Sequence, residues 1–273
     1  MNARSISAAC VASAALLLSA FAADEKADKE QPLHEISLEV QALRSIEDLR
    51  LTQDQLDLLA KLAKETAEPE RKRAEPKASA EYRRVLTRLR DALLAQDEDK
   101  IDELEGALEE LKAKENPTID EDVTVTKAAR KRAPEVFRTF KASELASYYG
   151  AVANEVLDPL LHLTTSLRVV RGLEKDEWHD RRDAIADEVA WLVAGADLAK
   201  WEKVSDQTVA LLSKARSLSD EEFKAQQKEL ETSAKAIAGE AGPDAVLRHY
   251  AERELAELLS NPRLAAALKA RQK

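Results

Sequence analysis

Apolar residues in this chain return every three or four positions, and little in it supports any other period. Leu33, Ile36, Val40, Leu43, Ile46 and Leu49 follow that spacing, as do Leu56, Leu59 and Leu62. Tyr82, Leu86, Leu89 and Leu93 repeat at 4-3-4, and Ile101, Leu104, Leu108 and Leu111 at 3-4-3. Such steps gather apolar side chains on one face of an α-helix. Composition agrees: only six glycines and eleven aromatic residues occur in 273, against an abundance of Ala, Leu, Glu, Lys and Arg. The one strand-like run, Val123-Thr124-Val125, reads as an extended connector. The expectation is an all-α protein, a multi-helix bundle with an antiparallel coiled-coil-like helical hairpin.

The first residues read as an export signal. Met1 to Ser7 is short and carries one charge, Arg4, and Ala8 to Ser19 is apolar but too short to span a bilayer. Ala20-Phe21-Ala22 places small residues where a signal peptidase reads them, and from Ala23 the chain turns charged. Cleavage is expected after Ala22, with Ala20, Ala22 and Ala23 marking the site. The product would be periplasmic or extracellular, soluble and without stable membrane insertion. Its only cysteine, Cys10, would leave with residues 1–22, which removes disulfides, thiol nucleophiles and thiolate metal sites. Basic residues number 42 against 52 acidic ones, a net charge of −10, which argues against nucleic acid as a partner. Neither GxGxxG nor GxxxxGK[ST] occurs.

After a charged leader at 23–32, residues 33–116 are expected to form N-terminal helices with a helical hairpin, and 117–273 a C-terminal helical bundle. The hairpin turn falls at Gln96-Asp97-Glu98-Asp99, where Asp97 is a good N-cap. Charge supports folding back, because 77–90 is rich in Lys and Arg and 97–111 in Asp and Glu. Beyond Asn116-Pro117, helix starts are legible at Ser143, at Asp158-Pro159, at Ser219 with Glu222, and at Asn261-Pro262. Gly150, Gly172, Gly195, Gly239 and Gly242 fall at expected helix ends. Roughly six or seven helices follow Pro117 on this reading.

One start carries a motif. In Leu51-Thr52-Gln53-Asp54-Gln55, Thr52 and Gln55 form a capping box, with the Gln55 side chain reaching back to the Thr52 amide. Leu51, Thr52 and Gln55 match the LTXXQ pattern, and residues 33 to about 115 resemble the Spy/CpxP-like periplasmic proteins. That resemblance implies an exported, all-helical chaperone or stress-signalling regulator. Members usually carry two such motifs. The second candidate here is Phe140-Lys141-Ala142-Ser143-Glu144-Leu145, in which Lys141 replaces the threonine.

No pattern recommends an enzyme. Asp176-x-x-His179 lacks the second copy a di-iron bundle needs, and His179 with Asp183 is explained by a solvated, ion-paired face. His162 reads as a core or groove histidine, while His34 and His249 have no neighbours in sequence that suggest a role. Trp191 reads as core and Trp201 as packed between helices. No catalytic residue, cofactor or metal ligand is therefore assigned. The leading expectation is a non-enzymatic exported protein that binds other polypeptides, chaperone-like or envelope-stress related. The alternatives are a self-associating coiled-coil scaffold of the cell envelope and a carboxylate-dependent hydrolase in a bundle cleft.

Overall fold

The three-to-four spacing becomes helix wherever it occurs. A computed structural model describes residues 31–271 except 70, 74, 75, 142, 146, 147, 149–157 and 240. The expected cleavage residues Ala20, Ala22 and Ala23 and most of the charged leader lie outside the described residues. The first four helices are α1 (Leu33–Asp48), α2 (Gln53–Thr66), α3 (Ala80–Ala95) and α4 (Glu98–Glu115). After them come α5 (Lys127–Phe137), α6 (Pro159–Val169), α7 (Lys175–Ala194) and α8 (Leu198–Ser217). The last three are α9 (Asp220–Ala238), α10 (Pro243–Ser260) and α11 (Leu264–Arg271). Residues 143–145 and 148 are helical as well. Among the described residues no strand occurs, and Val123-Thr124-Val125 lies in the connector between α4 and α5.

Local chemistry sets most boundaries. Asp97 caps α4 by accepting from the Lys100 amide, and Asp158 caps α6 through the Leu160 and Leu161 amides. Ser219 and Glu222 form a reciprocal capping box at α9. These bonds to Ser219 hold the Glu222 carboxyl below its ordinary value. Gly195 and Gly239 end α7 and α9 with φ of 57° and 66°, a region costly for other residues. Gly242 departs from expectation: with φ −68° it starts α10 instead of ending a helix. Gly150 lies outside the described residues.

The chain divides into two compact units, residues up to 43 with 71–122, and 44–70 with 123–273. In the first, α3 folds back onto α4 across Gln96, which takes a left-handed φ of 54°. The far ends meet. Glu115 at the end of α4 accepts from the Ser79 amide at 3.0 Å and the Ser79 hydroxyl at 2.6 Å. These bonds lower the Glu115 pKa and join the start of α3 to the end of α4. The ion pairs Arg84–Glu81, Arg90–Asp91 and Lys100–Asp97 each join residues close in sequence. The apolar stripes are covered except at half-buried Leu111: Tyr82 is 0% exposed, Leu86, Leu89 and Leu93 1%, and Ile101 8%. Arg73 clasps the connector through the Asp120 carboxylate at 2.7 Å and the Asp122 carbonyl at 2.9 Å.

In the second unit, α2 packs with α5, α10 and α11, while α6 to α9 pack on one another, and α10 also contacts α7. One hydrophobic cluster of this unit buries Leu163, Trp178, Ile185, Val189, Leu212 and Leu230. Each such side chain contributes about 1.5–3 kcal/mol. The Thr66 hydroxyl donates to the Leu259 carbonyl at 2.7 Å and the Glu68 amide to the Ser260 carbonyl at 2.7 Å, tying the end of α2 to the end of α10. Among the described residues no helix is long and apolar enough to cross a membrane.

Candidate functional site

The motif residues form a helix start. Thr52 has extended backbone (φ −72°, ψ 162°), and its carbonyl accepts from the Leu56 amide at 2.9 Å. Gln55 Oε1 accepts from the Thr52 amide at 2.7 Å and from the Thr52 hydroxyl at 2.9 Å. Leu51 is buried beside it. Gln55 itself is 2% exposed, and its Nε2 donates to Glu144 Oε2 at 3.3 Å. Glu144 in turn accepts from the Lys141 amide at 3.0 Å. Lys141, not Ser143, is thus the cap of that helix, since the Glu144 and Leu145 amides bond to its carbonyl. The two starts make the same amide-to-side-chain bond and are linked through Gln55 and Glu144. At the second start a carboxylate replaces the amide oxygen, so Lys141 needs no side-chain oxygen of its own.

A groove of about 630 Å³ lies between α6 and α9. The face of α6 that carries Leu163 and Leu167 is buried, whereas Leu161 and Val169 on its other face are 52% and 46% exposed. They are the large exposed hydrophobics among the described residues. Leu230 and half-buried Phe223 line the opposite wall. Arg171 fixes that wall. Its guanidinium sits 4.4 Å from the Phe223 ring and donates to the Ala215 and Leu218 carbonyls at 3.1 and 2.8 Å, while pairing with Asp220. The polar rim mixes signs, with Asp158 and Glu231 against Arg168 and Lys235. Such a groove can hold an apolar segment flanked by charges. His162, at the next position to Leu161, turns elsewhere, with Nε2 3.3 Å from Glu188 Oε2.

The interior of this unit holds charge as well. Arg130 of α5 is 7% exposed, with its guanidinium 3.9 Å from the Trp191 ring and 4.5 Å from that of Trp201. Burial pulls the Arg130 pKa down, opposed by Asp187. Burial pushes Asp187 up, opposed by Arg253 and Arg130. Arg253 also donates to Glu257 at 2.8 Å. Trp191 is core and Trp201 packs between helices; the arginine that joins them comes from a helix some sixty residues earlier, which no local pattern announces.

His249 is the other residue that sequence reasoning passed over. It is 7% exposed, its Nδ1 donates to the Leu192 carbonyl at 2.9 Å, and its Nε2 meets Arg248 Nη2 at 3.1 Å. Gly195 is what admits it. A Cβ there would stand 2.4 Å from His249 Cδ2. Among the described residues no group of three or more His, Cys, Asp or Glu side chains is arranged to hold a metal ion; His179 and Asp183 are both exposed. No family model, curated protein or solved structure matches this chain.

Proposed function

We propose that this protein is an exported, non-enzymatic helical protein that binds other polypeptides, chaperone-like and related to envelope stress. The observation that carries the reading is the α6–α9 groove, where the two exposed large hydrophobics meet a fixed aromatic wall inside a rim of mixed charge. Exposed apolar surface rimmed by polar groups marks an interaction site. A short apolar stretch of a partly unfolded polypeptide, with charges on either side, fits this composition. Resemblance to the Spy/CpxP-like proteins supports the same reading through the LTXXQ residues and through the Gln55–Glu144 link between two like helix starts. The hairpin stripes are not the client surface on this reading, because they are spent inside the chain.

The test is suppression of aggregation of an unfolding client by residues 23–273. Protection at near-stoichiometric ratio is expected, and Leu161→Asp with Val169→Asp reduces it about tenfold, the cost of about 1.4 kcal/mol of lost apolar contact. Both positions are exposed, so stability changes by no more than about 0.5 kcal/mol for each substitution, or about 1 kcal/mol for the pair. Absence of protection by the unaltered chain, or full protection by the double variant, overturns the reading.

A further inference from the structure

The two walls of the α6–α9 groove run in opposite directions. Arg171, just past the end of α6, pairs with Asp220 and lies against the Phe223 ring, so the end of one helix stands beside the beginning of the other. Lining side chains therefore sort along the groove. Val169 and Phe223 share one end, Leu161 and Leu230 the other, with Thr164, Thr165 and Gln227 between. The two apolar stations lie eight positions apart on α6 and seven on α9, which is about 11–12 Å of helix. The waist is largely spent on its own helices. The Thr164 hydroxyl donates to the Leu160 and Leu161 carbonyls at 2.8 and 3.1 Å, and Gln227 Nε2 donates to Glu231 at 2.8 Å.

This geometry suits a helix better than a strand. Both walls are helical backbone, whose interior amides and carbonyls are bonded within each helix. An extended segment between them finds no sheet edge, and sets its own N–H and C=O groups against apolar side chains. A helix satisfies those groups internally. The same pair of helices already accepts one: α8 packs on both α6 and α9, with Leu211 and Leu212 in the buried cluster that holds Leu163 and Leu230.

The ends of the groove also differ in sign. Among the described lining residues, exposed Arg168 stands at the Val169 end, whereas Asp158 and Glu231 outnumber Lys235 at the Leu161 end. A helix carries partial positive charge at its N-terminus and partial negative charge at its C-terminus. The groove thus complements a helix whose N-terminus points to Asp158 and Glu231 and whose C-terminus points to Arg168.

We propose that the α6–α9 groove docks an amphipathic helix of about three turns, running parallel to α6, with apolar side chains at i and i+7 seated in the two stations. This rests on the reading of the groove as a polypeptide-binding site, and names the conformation and direction of what it takes. A client segment that is unstructured in solution becomes helical as it docks.

Fluorescence anisotropy of residues 23–273 with labelled peptides tests the proposal. The probe has about 14 residues in an Ala and Gln background, with leucines at i, i+4 and i+7, a Lys at its start and a Glu at its end. A side-chain staple on its far face holds it helical. One comparison peptide carries a central proline and no staple; the other is stapled with Lys and Glu exchanged. Saturable binding of the probe is expected, with the proline peptide at least about tenfold weaker and the exchanged peptide about threefold weaker, the size of a surface charge effect. Leu161→Asp with Val169→Asp weakens the probe at least about tenfold. Arg168→Glu removes the preference for charge order and, as a change at an exposed position, should keep the unaltered far-UV circular dichroism. No saturation by the probe, equal binding of the probe and the proline peptide, no preference for charge order in the unaltered chain, or unchanged affinity in the double variant overturns the proposal. Suppression of client aggregation is read separately. Protection that the double variant loses, together with equal binding of the probe and the proline peptide, leaves the client reading standing and removes the helix; full protection by the double variant removes the client reading without altering peptide affinities.

Discussion

Two hollows open along the same helix and differ in almost everything except size. The α6–α9 groove is walled by Leu161, Val169, Phe223 and Leu230 under a rim of both signs, whereas the hollow of α8, the end of α9 and the start of α10 is lined, among the described residues, by Lys200, Lys203 and Arg248 beside Val193, Val204 and Ile237. Volumes of about 630 and 540 Å³ would not tell them apart. What separates them is how each wall is held. In the first, an arginine turns inward to carbonyls and an aromatic ring, leaving apolar groups outward. In the second, a buried histidine turns an arginine outward. The same residue type therefore builds an apolar surface in one place and a charged one in the other, according to where its partners lie.

The comparison can be broken most forcefully at Gly195. Gly195→Ala drives a Cβ into His249 at a backbone φ of 57°, and should cost on the order of 3 kcal/mol from overpacking and left-handed strain. Urea unfolding reads this, and the α6–α9 groove should keep its client protection where the variant is folded. A loss below about 1 kcal/mol would mean that His249 gives way and does not determine the charged hollow. Next in size is a pH effect. An unfolded imidazole takes a proton near pH 6.5, whereas His249 resists it when folded, so the unfolded state binds more protons and stability falls as pH drops below about 6.5. Asp187 and Glu252, both pushed up by burial, have the opposite sign, since their protonation relieves the folded state nearer the carboxylate range. The stability slope between pH 5 and 7 should therefore flatten in His249→Asn; an unaltered slope would remove the histidine from the account.

Two smaller changes serve as controls, for they touch neither hollow. Gln55→Ala deletes the return half of a capping box and the bond to Glu144, for an expected loss of about 0.5–2 kcal/mol by chemical denaturation. Tyr82→Phe should change stability by less than about 0.5 kcal/mol or raise it, because its buried hydroxyl has no hydrogen-bond partner. Burial with Glu121 and Glu115 nearby also pushes the phenol up to about 12. A loss above 1 kcal/mol on removing that hydroxyl would show that it is bonded in solution.

What could be read in advance was whatever a few neighbouring residues decide. Periodicity announced α1 to α4, and Asp97, Asp158 and Ser219 announced three starts, because a cap and its amide lie within three positions. Gln96 and Asn116 end helices in left-handed backbone without a glycine to signal it. Both hollows were illegible for a different reason. Leu161 and Val169 look like ordinary core residues, and only the packing of α6 against its neighbours decides which face stays open. His249 lacked suggestive neighbours in sequence because its partner carbonyl, Leu192, is 57 residues away.

The bond from Thr66 to Leu259 has a consequence for the order in which the molecule can be made. It spans 193 positions, whereas Ser79 and Glu115 are 36 apart. During synthesis at about 5–20 residues per second, the hairpin can close within seconds of leaving the ribosome, but α2 must wait roughly 10–40 s for α10. α5 follows sooner and can cover part of the apolar face of α2, but the part that packs on α10 stays uncovered for that interval. The nascent chain is thus exposed longest to holdases, proteases and its own copies at α2, a vulnerable window built into the topology.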